Sequence, residues 1–274
     1  MNVLSWFNQK PLRMIWRVEK NGYASHIIGT AHFFPYSFRR VFTRLMQDVC
    51  TVLFEGPLDE TSSTQIAEYG RDNRSASTFV DKLTPETIRE IDNILRDRMD
   101  GQKGNAWYQS LLDPKPVYFE AFTKGLHPWA AFFSIWQAYL DWDYSMDMEA
   151  YQVACRLGKQ ILYLETTTDQ IAVLDSISVD YIARQLNDVK NWKSYKNKYV
   201  RTFIKGDLEE MMSLTSRSVT RGPVIVGKRD RIFFDRMKPV FESEEALAFI
   251  GFPHIPGVTK LFRDDDYTVT QVSA

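Results

Sequence analysis

The sequence predicts an α/β fold: a mixed central β-sheet flanked by helices, with a helical insert between its N- and C-terminal halves. Two observations predict it. Strand-like apolar runs occur near both ends with mainly helical periodicity between them, and a β-α-β-like alternation resumes after the helical middle, at about residues 84–142. The chain of 274 residues, 44% hydrophobic and 14% aromatic, has ample material for a core and reads as one domain over 1–274.

Met14 to Val18 and His26 to Ile28 read as strands around Asn21-Gly22, a strong hairpin signal. Phe38 to Asp48 reads as a helix with Val41, Phe42, Leu45 and Met46 on one face, and Thr51 to Phe54 as a short buried strand ending at Glu55-Gly56-Pro57. From Thr84 onward Leu83, Ile88, Ile91, Ile94 and Leu95 mark an apolar helical stripe with Pro85 in its first turn. Asp113-Pro114 and His127-Pro128 divide the helical region.

Met148 to Leu157 is predicted helical with Gly158 as its stop, followed by a strand from Gln160 to Leu164 that ends at Glu165. Thr166 and Asp169 have the spacing of a capping box. Val179 to Leu214 reads as two helices divided at Gly206-Asp207, Pro223 to Val226 as a strand, and Arg229 to Phe241 as a helix. Ala246 to Ile250 is again a strand, and Tyr267 to Val272 an edge strand.

Composition excludes several classes. A net charge of -1 gives no reason to expect a nucleic-acid partner. The basic stretch Lys190 to Lys205 carries Trp192, Tyr195, Tyr199 and Phe203 at helical spacing, which reads as a core face under a solvated lysine face. The most apolar stretch, Trp129 to Leu140, is too short to span a bilayer, and Met1 to Trp6 lacks the pattern of a signal peptide. A cytoplasmic protein is expected. Cys50 and Cys155 form no Cys-x-x-Cys pair and read as buried free thiols, with a disulfide between them as the alternative.

The chemistry concentrates in a repeated pattern. Ile28-Gly29-Thr30-Ala31-His32 and Ile250-Gly251-Phe252-Pro253-His254 are apolar runs ending in Gly-x-x-His, and they hold two of the four histidines. A strand that stops at glycine and turns delivers the next side chain to a sheet edge, where α/β proteins form clefts. Convergence of His32 and His254 follows, with Glu55, also at a strand end, as third member. Two imidazoles and a carboxylate suit a divalent metal or metal-free acid/base work. His26 and His127 read as structural. Glu165 and Asp147 stand where helix starts attract acids, so local roles suffice for them. Arg229 and Arg231, placed by this reading at a helix start, call for an anionic partner, a substrate carboxylate or one of the site acids, with a solvated charged turn as the alternative. No HExxH, Gly-x-Ser-x-Gly, P-loop or GxGxxG motif is present.

These residues resemble the TraB/PrgY/GumN family, which includes the Tiki proteins and is related to the wider EreA/ChaN-like group. The resemblance runs from Ile28 to His32 through Phe54-Glu55, Ser145-Met146-Asp147, Ala154 to Gln170, Gly206-Asp207 and Val226 to Arg229, closing at Ile250 to Val258. It implies an α/β fold with both Gly-x-x-His histidines and the strand-end glutamate at the active centre. It also implies metal-dependent hydrolysis of peptides with manganese or cobalt, His32, Glu55 and His254 as metal ligands, and Arg229 either supporting those ligands or orienting the substrate. The alternatives are a non-enzymatic protein that sequesters peptides, as in pheromone shutdown, and a haem- or iron-binding protein. Where the family usually reads Glu-Arg-Asn this chain has Lys228-Arg229-Asp230, and the membrane segments of many relatives have no counterpart.

Overall fold

A computed structural model describes residues 10–71, 79–102, 118–216 and 223–274. Strands β1 (Ile15–Lys20) and β2 (Tyr23–Thr30) form the expected hairpin. Asn21 and Gly22 at its tip have φ of 54° and 88°, the left-handed pair that matches strand twist in a two-residue turn. Helix α1 (Arg39–Leu45) buries Val41 and Phe42 and leads to β3 (Thr51–Phe54), whose four residues are all buried. After α2 (Glu60–Tyr69) come α3 (Pro85–Gln102), α4 (Tyr118–Thr123) and α5 (Pro128–Leu140). Helix α6 (Met146–Arg156) starts at a Ser145 cap, and Gly158, with φ of 63°, turns the chain into β4 (Gln160–Tyr163). The Thr166–Asp169 capping box opens α7 (Thr167–Asp175), followed by α8 (Val179–Asn187), α9 (Trp192–Lys205), α10 (Leu208–Leu214) and α11 (Pro223–Phe241). Strand β5 (Ala246–Gly251), α12 (Ile255–Asp264) and β6 (Thr268–Val272) complete the order.

The six strands form one mixed sheet in the order β4-β3-β5-β2-β1-β6. Strands β4, β3, β5 and β2 run parallel, and β1 pairs antiparallel with both β2 and β6. Strand β6 is the edge, as expected. The central strand β5 is buried at all six positions, the pattern of a strand covered on both faces.

Two apolar clusters result. The larger joins the sheet to α1, α6, α11 and α12 through Phe42, Phe54, Val153, Phe233 and Phe249. The smaller joins α3 and α5 to Ile177, Ile182, Leu186 and Trp192. The helical layer therefore extends past residues 84–142 and recruits α8 and the start of α9.

Three expectations need correction. Pro223 to Val226 is not a strand but the first turn of a nineteen-residue helix. Proline is well tolerated there, and the buried stripe Phe233, Phe234, Met237 and Phe241 outweighs the β preference of a short Val-Ile-Val run. Val179 to Leu214 makes three helices rather than two, the extra break falling at residues 188–191. Cys50 and Cys155 are free thiols but exposed, Cys50 just before β3 and Cys155 in the last turn of α6. The expected break at Asp113-Pro114 and the N-terminal stretch Met1 to Trp6 lie outside the described residues.

Candidate active site

The sheet register explains why the two Gly-x-x-His segments meet. Strands β2 and β5 are adjacent and parallel, with Thr30 opposite Gly251, so both histidines emerge from the same sheet edge. Strand β3 flanks β5 on the other side and ends at Phe54, opposite Phe249, which places Glu55 beside Gly251. Strand β4 follows, its exit fixed by the Leu164 N–H donating to the Phe54 carbonyl, and Glu165 comes next. Read across the carboxyl ends of four parallel strands, the order is Glu165, Glu55, His254, His32. This is where open α/β sheets place their sites.

Each imidazole is held from behind. The Nδ1 of His32 lies 2.8 Å from Asp147 Oδ2, and Thr30 donates its hydroxyl to Asp147 Oδ1 at 2.6 Å. The loop after β2 reaches α6 because Phe34 forms a backbone bridge to Tyr144. The Nδ1 of His254 lies 2.7 Å from Asp230 Oδ1 on α11. Gly257, in the first turn of α12, leaves room for that carboxylate: a Cβ there would stand 2.6 Å from Asp230 Cγ.

Arg229 closes the centre. Its Nε and Nη2 donate to both oxygens of Glu165 at 2.6 and 2.7 Å. Nη2 also reaches Glu55 Oε2 at 3.2 Å, and Nη1 lies 3.2 Å from His254 Nε2. The other oxygen of Glu55 accepts from the Gly251 N–H at 2.6 Å. A carboxylate only accepts and a guanidinium only donates, so His254 carries its proton on Nδ1 and presents a lone pair at Nε2.

The charges shift the acids and His32. Burial alone would push Glu55 up, but Arg229, then His254, His32 and the Gly251 N–H, hold its carboxyl at about 2. Glu165 is deeper; burial raises its carboxyl against the pull of Arg229, while the two-point contact is that of an ion pair. For His32, burial would lower the imidazole, yet the Asp147 carboxylate, by charge and hydrogen bond, raises it to about 9. Its side chain is 65% open to water, which screens that gain without changing its direction.

His32, Glu55, His254 and Arg229 all line one cavity of about 600 Å³ that opens between the two apolar clusters. His26 lies within β2, and His127 caps α5 beside Tyr69; neither lines this cavity. Arg231 is exposed and pairs with Asp235. Arg229 lies in the second turn of α11, so the helix-start argument for an anion does not apply to it; its partners are Glu165, which is buried, and Glu55, which is mostly so. Asp147 and Asp230 were the residues that sequence reasoning undervalued. Ser145, not Asp147, caps α6, so Asp147 was free for His32. Glu165 likewise has a distant partner where a helix-start role had sufficed.

The donor chemistry fits a divalent ion. Two imidazoles, each anchored through Nδ1 by a carboxylate, have the usual support of histidine ligands; His32, raised to about 9, would have to give up its proton before its Nε2 could hold an ion. Among the described residues no three such side chains already converge as a ligand set. Arg229 supplies the positive charge at His254 and Glu55, so an ion would compete with it for both.

Such a fold and site define an α/β protein with an imidazole–carboxylate centre at the carboxyl edge of its sheet. The chain belongs to the TraB/PrgY/gumN family, whose pattern matches residues 14–271, nearly its whole length. No curated protein matches it. Among the described residues no helix is long and apolar enough to cross a membrane.

Proposed function

We propose that this chain is a metal-dependent hydrolase of peptides, with His32, Glu55 and His254 as ligands of a divalent ion, manganese or cobalt, and Arg229 as the residue that orients the substrate. One observation carries the reading: adjacent parallel strands deliver two carboxylate-backed imidazoles into one cavity beside a buried glutamate. When bound, such an ion supplies a water acidic enough to attack a carbonyl near neutral pH.

The chain's own groups have separable tasks. Asp147 and Asp230 fix the rings so that each Nε2 faces the cavity. Glu55, held at about 2, is too weak a base to accept a proton at working pH, so it suits a ligand and not a general base. Arg229, between Glu55 and Glu165, presents Nη1 toward the cavity, where a developing oxyanion would meet a fixed positive charge.

The test is elemental analysis of the purified protein with a peptide-cleavage assay, comparing wild type with His32→Ala and His254→Ala. We expect one bound divalent ion and cleavage in the wild type, with both lost in the variants and cleavage lost on chelation. Full activity after complete metal removal overturns the reading. A second reading is favoured by the contact of Arg229 with His254 Nε2: a protein that holds peptides without cleaving them. Binding with no turnover in the metal-loaded protein would select it.

A further inference from the structure

We infer that the outer face of α9 is a docking surface for an anionic lipid bilayer, held by charge and independent of what the centre hydrolyses.

Charge is spread unevenly along the chain. Residues 190–205 hold six cations, Lys190, Lys193, Lys196, Lys198, Arg201 and Lys205, and no acid, which leaves 28 cations against 35 acids elsewhere. The fold sorts this stretch by face. Trp192, Tyr195 and Tyr199 turn inward to wall the cavity, and Phe203 is buried in the larger apolar cluster. On the outer side Lys193, Asn197, Arg201 and Lys205 follow one another at four-residue steps, with Ser194 and Lys198 alongside, and all six are exposed. Two of the cations are engaged: Lys196 donates to the Leu140 carbonyl, and Lys198 Nζ lies 3.4 Å from Glu210. Lys190, Lys193, Arg201 and Lys205 are exposed and have no ion-pair partner among the described residues. Arg13, also exposed, extends the stripe past Lys205: it lies against Gly206, where a Cβ would stand 2.5 Å from its own. Of the acids on α10, Asp207 caps that helix and Glu210 meets Lys198, which leaves Glu209 exposed beside the stripe.

The shape of the stripe selects among anionic partners. Its aromatic residues all face inward, so unpaired bases have no ring to stack on. The inner side of α9 is packed on the sheet cluster and the cavity, so the helix cannot enter a duplex groove as a recognition helix does. The cations are strung along about 18 Å of helix, and no carboxylate or ring gathers the unpaired ones around a single anion. A plane of lipid phosphates meets that layout. Long stems let each charged head reach a different headgroup, and clusters of about four to eight Lys and Arg on an amphipathic helix suit an anionic leaflet. No large apolar side chain of α9 is exposed for insertion, so the attraction is electrostatic and weakens with salt. A bilayer seated on the stripe lies about 10 Å, one helix diameter, from the cavity wall that Trp192, Tyr195 and Tyr199 form.

The experiment cosediments the whole chain with vesicles of phosphatidylcholine alone or with about one third phosphatidylglycerol, at about 0.05 and 0.5 M salt. We expect the anionic vesicles to bind roughly tenfold or more tightly than the neutral ones at low salt and to release the protein at high salt. The triple reversal Lys193→Glu, Arg201→Glu and Lys205→Glu should lose roughly tenfold or more of that affinity. A second triple, Arg44→Glu, Lys124→Glu and Arg156→Glu, makes the same change of net charge at exposed cations elsewhere and should bind within about twofold of wild type. Melting curves check that both fold; should the first not, the neutral pair Lys193→Gln and Lys205→Gln should still cut binding roughly threefold or more. No binding to anionic vesicles, equal binding to both kinds, an unaffected stripe variant, or an equal loss in the second triple each overturn the inference. A short DNA duplex or polyglutamate, offered at matched charge, that binds more tightly than the anionic vesicles overturns it as well and names a different partner.

Discussion

Gly257→Ala should harm the protein, against the usual sign of that substitution. In a helix interior alanine is worth about 1 kcal/mol more than glycine. Gly257 has an ordinary helical backbone in α12, so nothing in its φ opposes a side chain. The obstacle is Asp230: its Oδ2 would overlap the new methyl outright and its Cγ would lie 2.6 Å from it, so the carboxylate must swing aside by more than the roughly 0.8 Å that Cγ alone needs to reach ordinary contact at 3.4 Å. The 2.7 Å bond to His254 Nδ1 cannot survive that movement unaltered. A hydrogen bond to a charged group contributes about 1.5–3 kcal/mol. Set against the alanine gain, the net loss is about 0.5–2 kcal/mol, a fall in Tm of roughly 1–8 °C. Losing the group that orients a working imidazole costs roughly 10–100-fold in metal affinity or activity. Calorimetry gives the Tm, and the His254 ring-nitrogen signals by NMR report the contact directly. In an Asp230→Ala background the clash is gone, and Gly257→Ala should stabilise. An unchanged Tm with unmoved His254 signals in the single variant would refute the reasoning.

Arg229→Met should destabilise the fold by about 3–5 kcal/mol in urea denaturation, because it strands two buried carboxylates; Arg229→Lys should recover little, since one ammonium cannot engage both as the guanidinium does. The raised imidazole of His32 predicts a pH effect. The folded state holds its proton more tightly than the unfolded chain, so this stabilisation is full below about 6.5 and fades as pH rises through about 9. Melting temperature measured from pH 6 to 9.5 should fall more steeply for the wild type than for Asp147→Asn, and parallel curves would rule the coupling out. Both cysteines should react with a thiol reagent in the native protein, giving two equivalents per chain without denaturant; a silent thiol would contradict their exposure.

The part of the site that could be read from sequence was the part carried by strand ends. A strand is short and its direction local, so an apolar run stopped by glycine already says where the next side chain emerges. That logic placed His32, Glu55 and His254 along one edge. The groups that hold them were not legible in the same way. Asp147 meets His32 across 115 residues and Asp230 meets His254 from another helix, contacts set by packing that no local pattern encodes. Charge offered a partial signal: Arg229 demanded an anion, though for the wrong reason, since it lies inside α11 and not at a turn. Pro223 to Val226 shows the limit of β preference, which a long helix with a buried stripe overrides. The aromatic stripe of α9 was read as core; Trp192 and Phe203 are buried, but Trp192, Tyr195 and Tyr199 also wall the cavity, a use that depends on what faces them from α5.

The place of β5 in the sheet has a consequence for biosynthesis. It lies between β2 and β3, yet some 190 residues separate it from β3 and some 215 from β2. Synthesis runs from the N-terminus, so β2 and β3 are made long before the strand that joins them. Until residues 246–251 arrive, both present open apolar edges prone to mispairing, and pairing across such sequence distance is slow. A chain that stops before Ala246 lacks the Gly251 N–H that clasps Glu55 and lacks the second imidazole. The centre therefore waits for a strand made late in synthesis, and no translation product that ends before His254 can carry it.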